Sequence, residues 1–290
     1  MAEYVILTDA TADLTAELEA ETGVVVIPMT VDMNGKVYSF APSGGEISTA
    51  EFYRRQMAGE DAHTSQINIA VYQQYFEAEM KAGRDVLYIG FSSALSSSFS
   101  AAVNCAERLR EAYPERKLFC VDSLCASAGE GLLVYAAAQK KKAGMDIDTL
   151  AAWTEREKAR SCQWFTVEEL SYLHKGGRVS TTVAVVGTML NIKPILHVSD
   201  EGKLVNVSKA RGRKKSLDTL AEIVARDRRD EPEGPVFVGC GTKDEDVAYL
   251  RERIMALAGA KNVWFVPVGP VIGAHTGPTV ITAFFFGDKR

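Results

Sequence analysis

The first half of the chain alternates short apolar runs with segments of helical periodicity. The apolar runs predict strands at residues 4–7, 24–31, 85–91 and 117–121. Helical patterns follow at residues 14–21, 99–112 and 132–142. Strand, loop and helix recurring in this order are typical of parallel βαβ units with helices on both faces of the sheet. We therefore predict an α/β/α domain with a parallel sheet over residues 1–158.

The second half has a different pattern. A helix is predicted at residues 148–160, and strands at 163–167, 195–198, 204–207, 236–240, 263–268 and 280–286. The polar residues 199–203 predict a hairpin between two of these strands, and helices are expected at 216–225 and 244–257. Hairpins mixed with crossovers predict a C-terminal α/β domain, residues 159–290, whose mixed sheet is covered on one face. No low-complexity linker separates the halves, so we expect tight packing with a ligand between them.

Composition narrows the class of protein. The 290 residues are 47% hydrophobic and 24% charged, with a net charge of −5, which excludes the basic footprint of a nucleic-acid partner. Five scattered cysteines without a Cys-x-x-Cys pair are typical of reduced thiols in a cytoplasmic protein, and no metal site is expected. No apolar stretch approaches the roughly 18–20 residues of a membrane span. The N-terminus lacks the basic region of a signal peptide.

A serine-rich loop follows the predicted strand at 85–91. It offers five hydroxyls, from Ser92 to Ser98, directly before a helix. In doubly wound sheets ligands bind beyond the carboxyl ends of the strands, and a helix start with free amides favours an anion. The loop therefore indicates a site for a carboxylate or phosphate. An ordinary helix cap with solvent-facing serines remains the alternative.

Three further segments carry candidate chemistry. Residues 63–68 form a polar cluster before a helix that starts near residue 70, where Ser65 or Asn68 could instead serve as caps. Residues 269–278 surround His275 with glycines that permit close backbone approach to a ligand, although a single histidine is often structural. Residues 173–180 are interpreted as a turn with an exposed cation, either a plain loop or a basic element near a ligand entrance or a partner surface.

Together these segments resemble the DegV family, which includes the fatty-acid binding subunits of bacterial fatty-acid kinases. The similar motifs run in family order along essentially the whole chain: TDATADL (8–14), HTSQIN (63–68), SSALSSSFSA (92–101), DS (122–123), LHKGGR (173–178), LNIKPI (190–195) and AHTGP (274–278). The chain departs from the family pattern at four positions, where Ile67 and Asn68 replace Pro and Ser, Ser97 replaces Gly, and Thr279 stands for a second Gly.

The resemblance implies a tunnel between the two domains that holds one long-chain fatty acid. It implies that the carboxylate is bound by Thr64, Ser96 and His275, with Ser65, Ser93 and Ser97 as neighbours. It also implies that a separate kinase subunit phosphorylates the bound acid to an acyl phosphate for phospholipid synthesis in a bacterial cytoplasm. The loop Gly176, Gly177 and Arg178 would lie near the head group or the kinase. We expect no cofactor besides the fatty acid, no enzymatic activity of the chain alone, and compatibility with transient contact at a membrane surface.

Two other functions are weighed against this one. Residues 90–94 approximate the nucleophile elbow of a serine hydrolase, with Ser92, Asp122 and His275 in hydrolase order. The final glycine of the elbow is Ala94, however, and no HGGG-type segment precedes it. The second alternative is a small-carbonyl binding subunit like that of dihydroxyacetone kinase, in which a histidine captures the substrate covalently. An apolar cleft between the domains would favour a lipid.

Overall fold

The computed structural model describes residues 3–179, 191–231 and 233–290. Its strands, numbered along the chain, are β1 Tyr4–Asp9, β2 Val25–Ile27, β3 Met29–Met33, β4 Lys36–Phe40, β5 Ala62–Ser65, β6 Asp85–Gly90, β7 Leu118–Asp122, β8 Ser161–Thr166, β9 Ile192–Val198, β10 Leu204–Arg211, β11 Val236–Cys240, β12 Val263–Phe265 and β13 Ile281–Phe286. Its helices are α1 Ala16–Thr22, α2 Thr49–Met57, α3 Ile69–Lys81, α4 Ser98–Ala112, α5 Ala128–Lys142, α6 Ile147–Glu157, α7 Ser171–Lys175, α8 Arg213–Asp227, α9 Asp244–Ala258 and α10 Pro270–Thr276.

A parallel sheet forms the N-terminal part, as predicted. Its strand order is β2-β1-β6-β7, and all three pairings are parallel. Helices α3 and α4 pack together, as do α5 and α6, and both pairs contact the sheet. The strand order reverses between β1 and β6, so the loops after these two strands diverge and leave a crevice at the carboxyl edge of the sheet.

A mixed sheet forms the C-terminal part, which is also as predicted. Its order is β10-β9-β8-β13-β11-β12, with only the β11–β12 pair parallel. The hairpin of β9 and β10 is confirmed. The expectation that one face alone is covered is wrong. Helices α8 and α9 pack on one side, and α5 also contacts β8, β11 and β13.

Helix α5 can lie between the two sheets because its first turns are buried on every side and contain two glycines where other segments come close. Residues 128–134 are all buried. A Cβ at Gly129 would lie 2.6 Å from the Gln163 side chain, and one at Gly131 would collide with the Ala12 carbonyl oxygen. Gly129 thus allows close contact with the C-terminal half of the molecule, and Gly131 allows it with the N-terminal half.

The predicted strand at 24–31 is wrong as a single element. Pro28 has no amide hydrogen for a sheet ladder, and it separates β2 of the parallel sheet from β3 of a small third sheet, β4-β3-β5. Strands β4 and β5 and helix α2 were not predicted. The Asn34-Gly35 turn, with both φ angles positive, was the available signal for the β3–β4 hairpin.

The boundary between residues 158 and 159 stays a prediction, although every strand of the mixed sheet follows residue 160. All five cysteines lie in the described ranges and carry free thiols. No helix in the described part of the chain combines the length and apolar character that crossing a bilayer requires. Ser180, which ends the segment 173–180, and Leu190, which begins the motif 190–195, lie outside the described residues.

Candidate functional site

A cavity of about 460 Å³ lies beyond the carboxyl ends of β1, β6 and β7. Its walls also come from β3, β5, the mixed sheet, α7 and α10, so each part of the fold contributes to it. This volume falls within the range of roughly 300–1,000 Å³ typical of small-molecule sites. The cavity therefore occupies the place where the strand order predicts a ligand.

Most of the wall is apolar. The large apolar side chains that line the cavity are Met29, Phe91, Leu95, Phe165, Leu173, Val198, Leu204, Val271, Ile272, Val280 and Phe284. They come from both halves of the chain and from the small third sheet. Such a surface favours a hydrocarbon over a small polar molecule.

The structure brings the six predicted carboxylate-binding residues to this one cavity, although they are spread over more than 200 positions of sequence. We call them, with one cation, the donor end: Thr64, Ser65, Ser93, Ser96, Ser97, His275 and Arg178. Gly176 and Gly177 do not line the cavity. They lie at the end of α7, just before Arg178.

The serine loop is a compact turn. The amides of Leu95 and Ser96 both donate to the Ser92 carbonyl oxygen, at 3.0 and 3.2 Å. Ser96 Oγ lies 3.0 Å from Ser98 Oγ, which in turn accepts from the Ile67 amide at 3.2 Å. This chain of bonds joins the loop to the end of β5. Ser93 and Ser97 are exposed, and Ser97 makes no capping bond to its helix.

Residues 63–65 are a strand and not a helix cap, because β5 pairs with β3. Asn68 is the residue that caps α3, by accepting from the Val71 amide at 3.1 Å. Strand β5 presents Thr64 to the helix α10, where Thr64 Oγ1 lies 2.7 Å from His275 Nε2. The short helix around His275 was not predicted from its Gly- and Pro-rich sequence; Pro270 begins it at a position where the missing amide hydrogen costs nothing.

His275 is a neutral imidazole. Burial, and to a smaller extent the positive charge of Arg178, lowers the pKa of His275 to about 4. Its Nδ1 atom is buried and has no hydrogen-bond partner among the described residues. The ring thus contributes hydrogen bonding without a charge of its own.

Arg178 is half-buried, and the exposed cation expected in residues 173–180 is Lys175. Its Nε and Nη2 atoms donate to the Leu95 carbonyl oxygen at 3.3 and 3.1 Å, and Nη1 donates to the Gly176 carbonyl oxygen. Within the described ranges it pairs with no carboxylate; burial is the cause that lowers its pKa. The donor end consequently carries an unneutralised positive charge.

A second polar surface of the cavity was missed by sequence reasoning, except that Thr11 lies in the first motif. Thr11 Oγ1 contacts Asp9 Oδ1 and lies 2.9 Å from Glu130 Oε2. Both carboxyls are fully buried. Burial, together with the Asp9 charge, raises the pKa of Glu130 well above its usual range. One hydroxyl hydrogen can serve only one acceptor, so the proton on Glu130 satisfies the other contact.

Ser127 occupies the same surface. Its φ of 55° and ψ of −151° lie in a region that non-glycine residues rarely adopt. Its hydroxyl donates to Asp13 Oδ2 at 2.6 Å, while Asp13 Oδ1 accepts from the Gly269 amide at 3.0 Å. Burial outweighs these two bonds and raises the pKa of Asp13 to about 8. We call Thr11 and Ser127, with Asp9, Asp13 and Glu130 behind them, the acid-backed wall.

The hydrolase residues are not arranged as a triad. Ser92 is fully buried, and its hydroxyl donates to the Gly202 carbonyl oxygen at 2.9 Å. Asp122 accepts from the backbone amides of Ser93 and Leu124. His275 contacts Thr64 instead of a serine nucleophile. In the described ranges no group of three or more His, Cys, Asp or Glu side chains is placed to hold a metal ion.

Comparisons with known proteins agree on one family. The family model described as "Uncharacterised protein, DegV family" matches residues 3–288. A DegV domain-containing protein of Clostridium perfringens is 36% identical over 290 residues, which cover 100% of this chain and 99% of the relative. A DegV domain-containing protein of Streptococcus pyogenes is 33% identical over 286 residues, with 99% of each chain covered.

Two solved structures with more than a quarter of their residues identical share the whole fold. A DegV family protein from Thermus thermophilus, described as fatty acid binding, superposes with a TM-score of 0.86 at 27% identity, covering 99% of this chain and 100% of the other. The fatty acid binding DegV family protein of Streptococcus agalactiae gives a TM-score of 0.86 at 26% identity, with 100% of both chains covered. The chain therefore belongs to the DegV family.

Proposed function

We propose that this protein binds one long-chain fatty acid in the cavity, with the carboxylate at the donor end, and presents it to a partner kinase. The observation that carries the proposal is the pairing of an extended apolar wall with a single end that offers unneutralised hydrogen-bond donors. Two structural neighbours described as fatty acid binding support it.

The apolar wall provides the driving force. About 14 methylenes, each contributing roughly 0.8 kcal/mol on burial, stabilise the complex by about 11 kcal/mol. Association and ordering cost about 4–15 kcal/mol and offset much of this gain. Tight binding therefore depends on a cavity that exists before the ligand arrives, because ordering its walls would add to this cost.

The polar surfaces determine which way the acid enters. The hydroxyl hydrogens of Thr11 and Ser127 are already directed at buried carboxyls, so a ligand carboxylate placed against them would find no free donor. Arg178, Ser93 and Ser97 line the same cavity, and Arg178 pairs with no carboxylate of the described residues. Each charge-assisted bond there contributes roughly 1.5–3 kcal/mol. The head group is consequently held at the donor end.

Presentation to a kinase requires that the head group be reachable from outside. Ser65, Ser93 and Ser97 are exposed as well as lining the cavity. The loop of Gly176, Gly177 and Arg178 borders the same end. A partner subunit docking there would approach a carboxylate that is bound by neutral hydroxyls and one arginine, and such a carboxylate keeps its reactivity toward a phosphoryl donor.

The binding half of the proposal is tested on purified protein. Mass spectrometry of an organic extract is expected to find close to one fatty acid per chain, and delipidated protein should rebind acids of about 14 to 18 carbons. The methyl ester of the same acid is the matched ligand control. It should bind at least about tenfold more weakly, because it has no negative charge. An empty extract together with no rebinding would contradict the proposal.

The presentation half is tested separately. The loaded protein is mixed with the ATP-binding subunit of a bacterial fatty-acid kinase, and ADP release is measured with and without fatty acid. ADP release that needs both the protein and the acid supports presentation. Fatty-acid binding without ADP release by any such subunit would leave a binding protein and remove the kinase role.

The small-carbonyl alternative fits the cavity less well. His275 has one nitrogen against Thr64 and the other buried, so neither is open to attack a carbonyl carbon. The apolar wall would also leave a small polar ligand without hydrogen-bond partners.

A further inference from the structure

Gly176 lies directly against the imidazole of His275. A Cβ built on Gly176 would be 2.5 Å from His275 Nδ1 and 3.3 Å from its Cγ. The backbone of Gly176, with φ −71° and ψ −9°, is an ordinary helical conformation that any residue adopts. The neighbouring Gly177 is the opposite case, with φ +73° and no atom within 4 Å of the point that a Cβ would occupy. Gly176 is therefore a glycine because of the ring it contacts, whereas Gly177 is a glycine because of its turn.

The contact determines which ring nitrogen carries the proton. A Cβ replaces one of the two glycine hydrogens, so a Cα–H bond of Gly176 is directed at His275 Nδ1. A proton on Nδ1 would meet that hydrogen head-on and would have no acceptor among the described residues. A lone pair on Nδ1 instead accepts a weak Cα–H contact. Since the ring is neutral, its single proton lies on Nε2.

The tautomer in turn sets the direction of the neighbouring hydrogen bond. With the proton on Nε2, His275 donates to Thr64 Oγ1 across the 2.7 Å contact. Thr64 then keeps its own hydroxyl hydrogen, and Thr64 lines the cavity. With the proton on Nδ1, the Thr64 hydroxyl would donate its hydrogen to His275 Nε2. The first arrangement leaves a donor for an anion in the cavity, and the second removes it.

A second glycine contact joins α7 and α10 in the opposite direction. A Cβ at Gly277, which directly follows α10, would collide with the ring of Tyr172 on α7. The helix that carries His275 thus receives a side chain from α7, while the end of α7 receives the imidazole. Gly176 thus leaves room for the ring of His275, and Gly277 leaves room for the ring of Tyr172.

We propose that Gly176 is a positioning residue, which seats the Nδ1 edge of His275, holds the Nε2–H tautomer and so makes Thr64 a hydrogen-bond donor to an anionic head group. The identity of that head group as a fatty-acid carboxylate rests on the proposed function. The tautomer and its cause do not, because they concern contacts between residues of the protein itself.

The first test needs no ligand. The ¹⁵N chemical shifts of the His275 ring in the full-length delipidated protein at neutral pH are expected to identify a protonated Nε2 and an unprotonated Nδ1. Gly176→Ala should shift or mix these signals. Gly177→Ala, the matched control, strains the backbone but should leave the His275 tautomer unchanged. An Nδ1–H tautomer in the parent protein would overturn the proposal.

The second test is a double-mutant cycle on fatty-acid affinity. Gly176→Ala is expected to weaken binding by about tenfold in the parent chain and by less than about twofold in a His275→Ala background. Equal losses in both backgrounds would show that Gly176 does not act through His275 and would overturn the proposal. If the parent chain binds no fatty acid, the proposed function fails, while the ¹⁵N shifts still decide the role of Gly176.

Discussion

The donor end and the acid-backed wall line the same cavity, and both are built from hydroxyls, yet they offer a ligand opposite chemistry. Thr11 and Ser127 contact carboxyls behind them, so their hydrogens are already used. Thr64 contacts a neutral imidazole, and the loop that carries Ser93 and Ser97 is bonded at Leu95 by an arginine that pairs with no carboxylate of the described residues. The residue type alone does not separate the two surfaces. The groups that lie directly behind each hydroxyl do.

The comparison also separates stability from binding. The acid-backed wall ties distant segments together, since Asp13 joins Ser127 at the start of α5 to Gly269 at the start of α10. The ties at the donor end, from Thr64 to His275 and from Arg178 to Leu95, are only partly buried, whereas those of Asp13 are fully buried. We therefore expect changes in the first surface to lower the free energy of unfolding, and changes in the second to lower ligand affinity.

The largest expected effect comes from Asp13→Ala. It leaves the Ser127 hydroxyl and the Gly269 amide buried without an acceptor, and we expect the free energy of unfolding to fall by about 2–5 kcal/mol. Asp13→Asn is the matched control. It keeps an acceptor for Gly269 and tolerates the φ of 49°, so its loss should be much smaller. Urea denaturation measures both, and equal losses would contradict the role assigned to the carboxyl.

Thr64→Val should act on binding instead. Removing the hydroxyl loses a bond to the head group of roughly 1.5–3 kcal/mol, or about 10- to 100-fold in affinity. Thr276→Val is the same chemical change in the same cavity. The Thr276 hydroxyl donates to the Ile272 carbonyl oxygen at 3.1 Å, so fatty-acid affinity should change by less than about threefold. Isothermal titration of a fatty acid would contradict the comparison if the two variants behaved alike.

The pH dependence of stability should separate the two surfaces again. The pKa of Asp13 is raised to about 8 in the folded state, so the folded chain holds a proton that the unfolded chain has lost. Stability from this group is present at low pH and is lost as pH rises toward 8, by up to about 1.4 kcal/mol per pH unit. His275, whose pKa is lowered to about 4, acts oppositely, with stability gained as pH rises from about 4 to 6.5.

Between pH 6.5 and 8 the histidine contribution changes little, so the buried carboxyls Asp13 and Glu130, whose pKa values are both raised, should dominate there. We expect the free energy of unfolding to decrease over this range, and to decrease less in Asp13→Asn. Urea midpoints at several pH values measure it. A parent chain whose stability rises over the same range would show that Asp13 is ionised in the fold.

The smallest expected effect is that of Arg178→Gln. Loss of a half-exposed charge near the head group should weaken fatty-acid binding by about three- to tenfold at low salt and by less at high salt. Lys175→Gln, three residues away, removes a cation that pairs with Asp61 on the surface and should have no effect on affinity. Identical results for the two variants would mean that the charge of Arg178 does not act on the ligand.

Local pattern predicted most of the fold. The parallel strands, the β9–β10 hairpin and the long helices follow from apolar periodicity, because burial of one face is a property of neighbouring residues in sequence. Pattern failed at Pro28, where one apolar run feeds two sheets, and at α10, whose Gly- and Pro-rich sequence favours a loop by propensity. The pattern also did not predict that α5 covers the second face of the mixed sheet. This helix fits between the two sheets because Gly129 leaves room for Gln163 and Gly131 leaves room for the Ala12 carbonyl oxygen.

The candidate site divides in the same way. By its motifs and its strand-to-helix loop, the sequence alone determined a family, a doubly wound architecture and a set of hydroxyls around one histidine. The tertiary structure decided which of those hydroxyls are free to donate, because that depends on Asp9, Asp13 and Glu130 behind one surface and on Arg178 and Gly176 beside the other. Hydrogen bonds between residues far apart in sequence produce no local pattern along the chain. Only the folded structure could therefore show which groups pair.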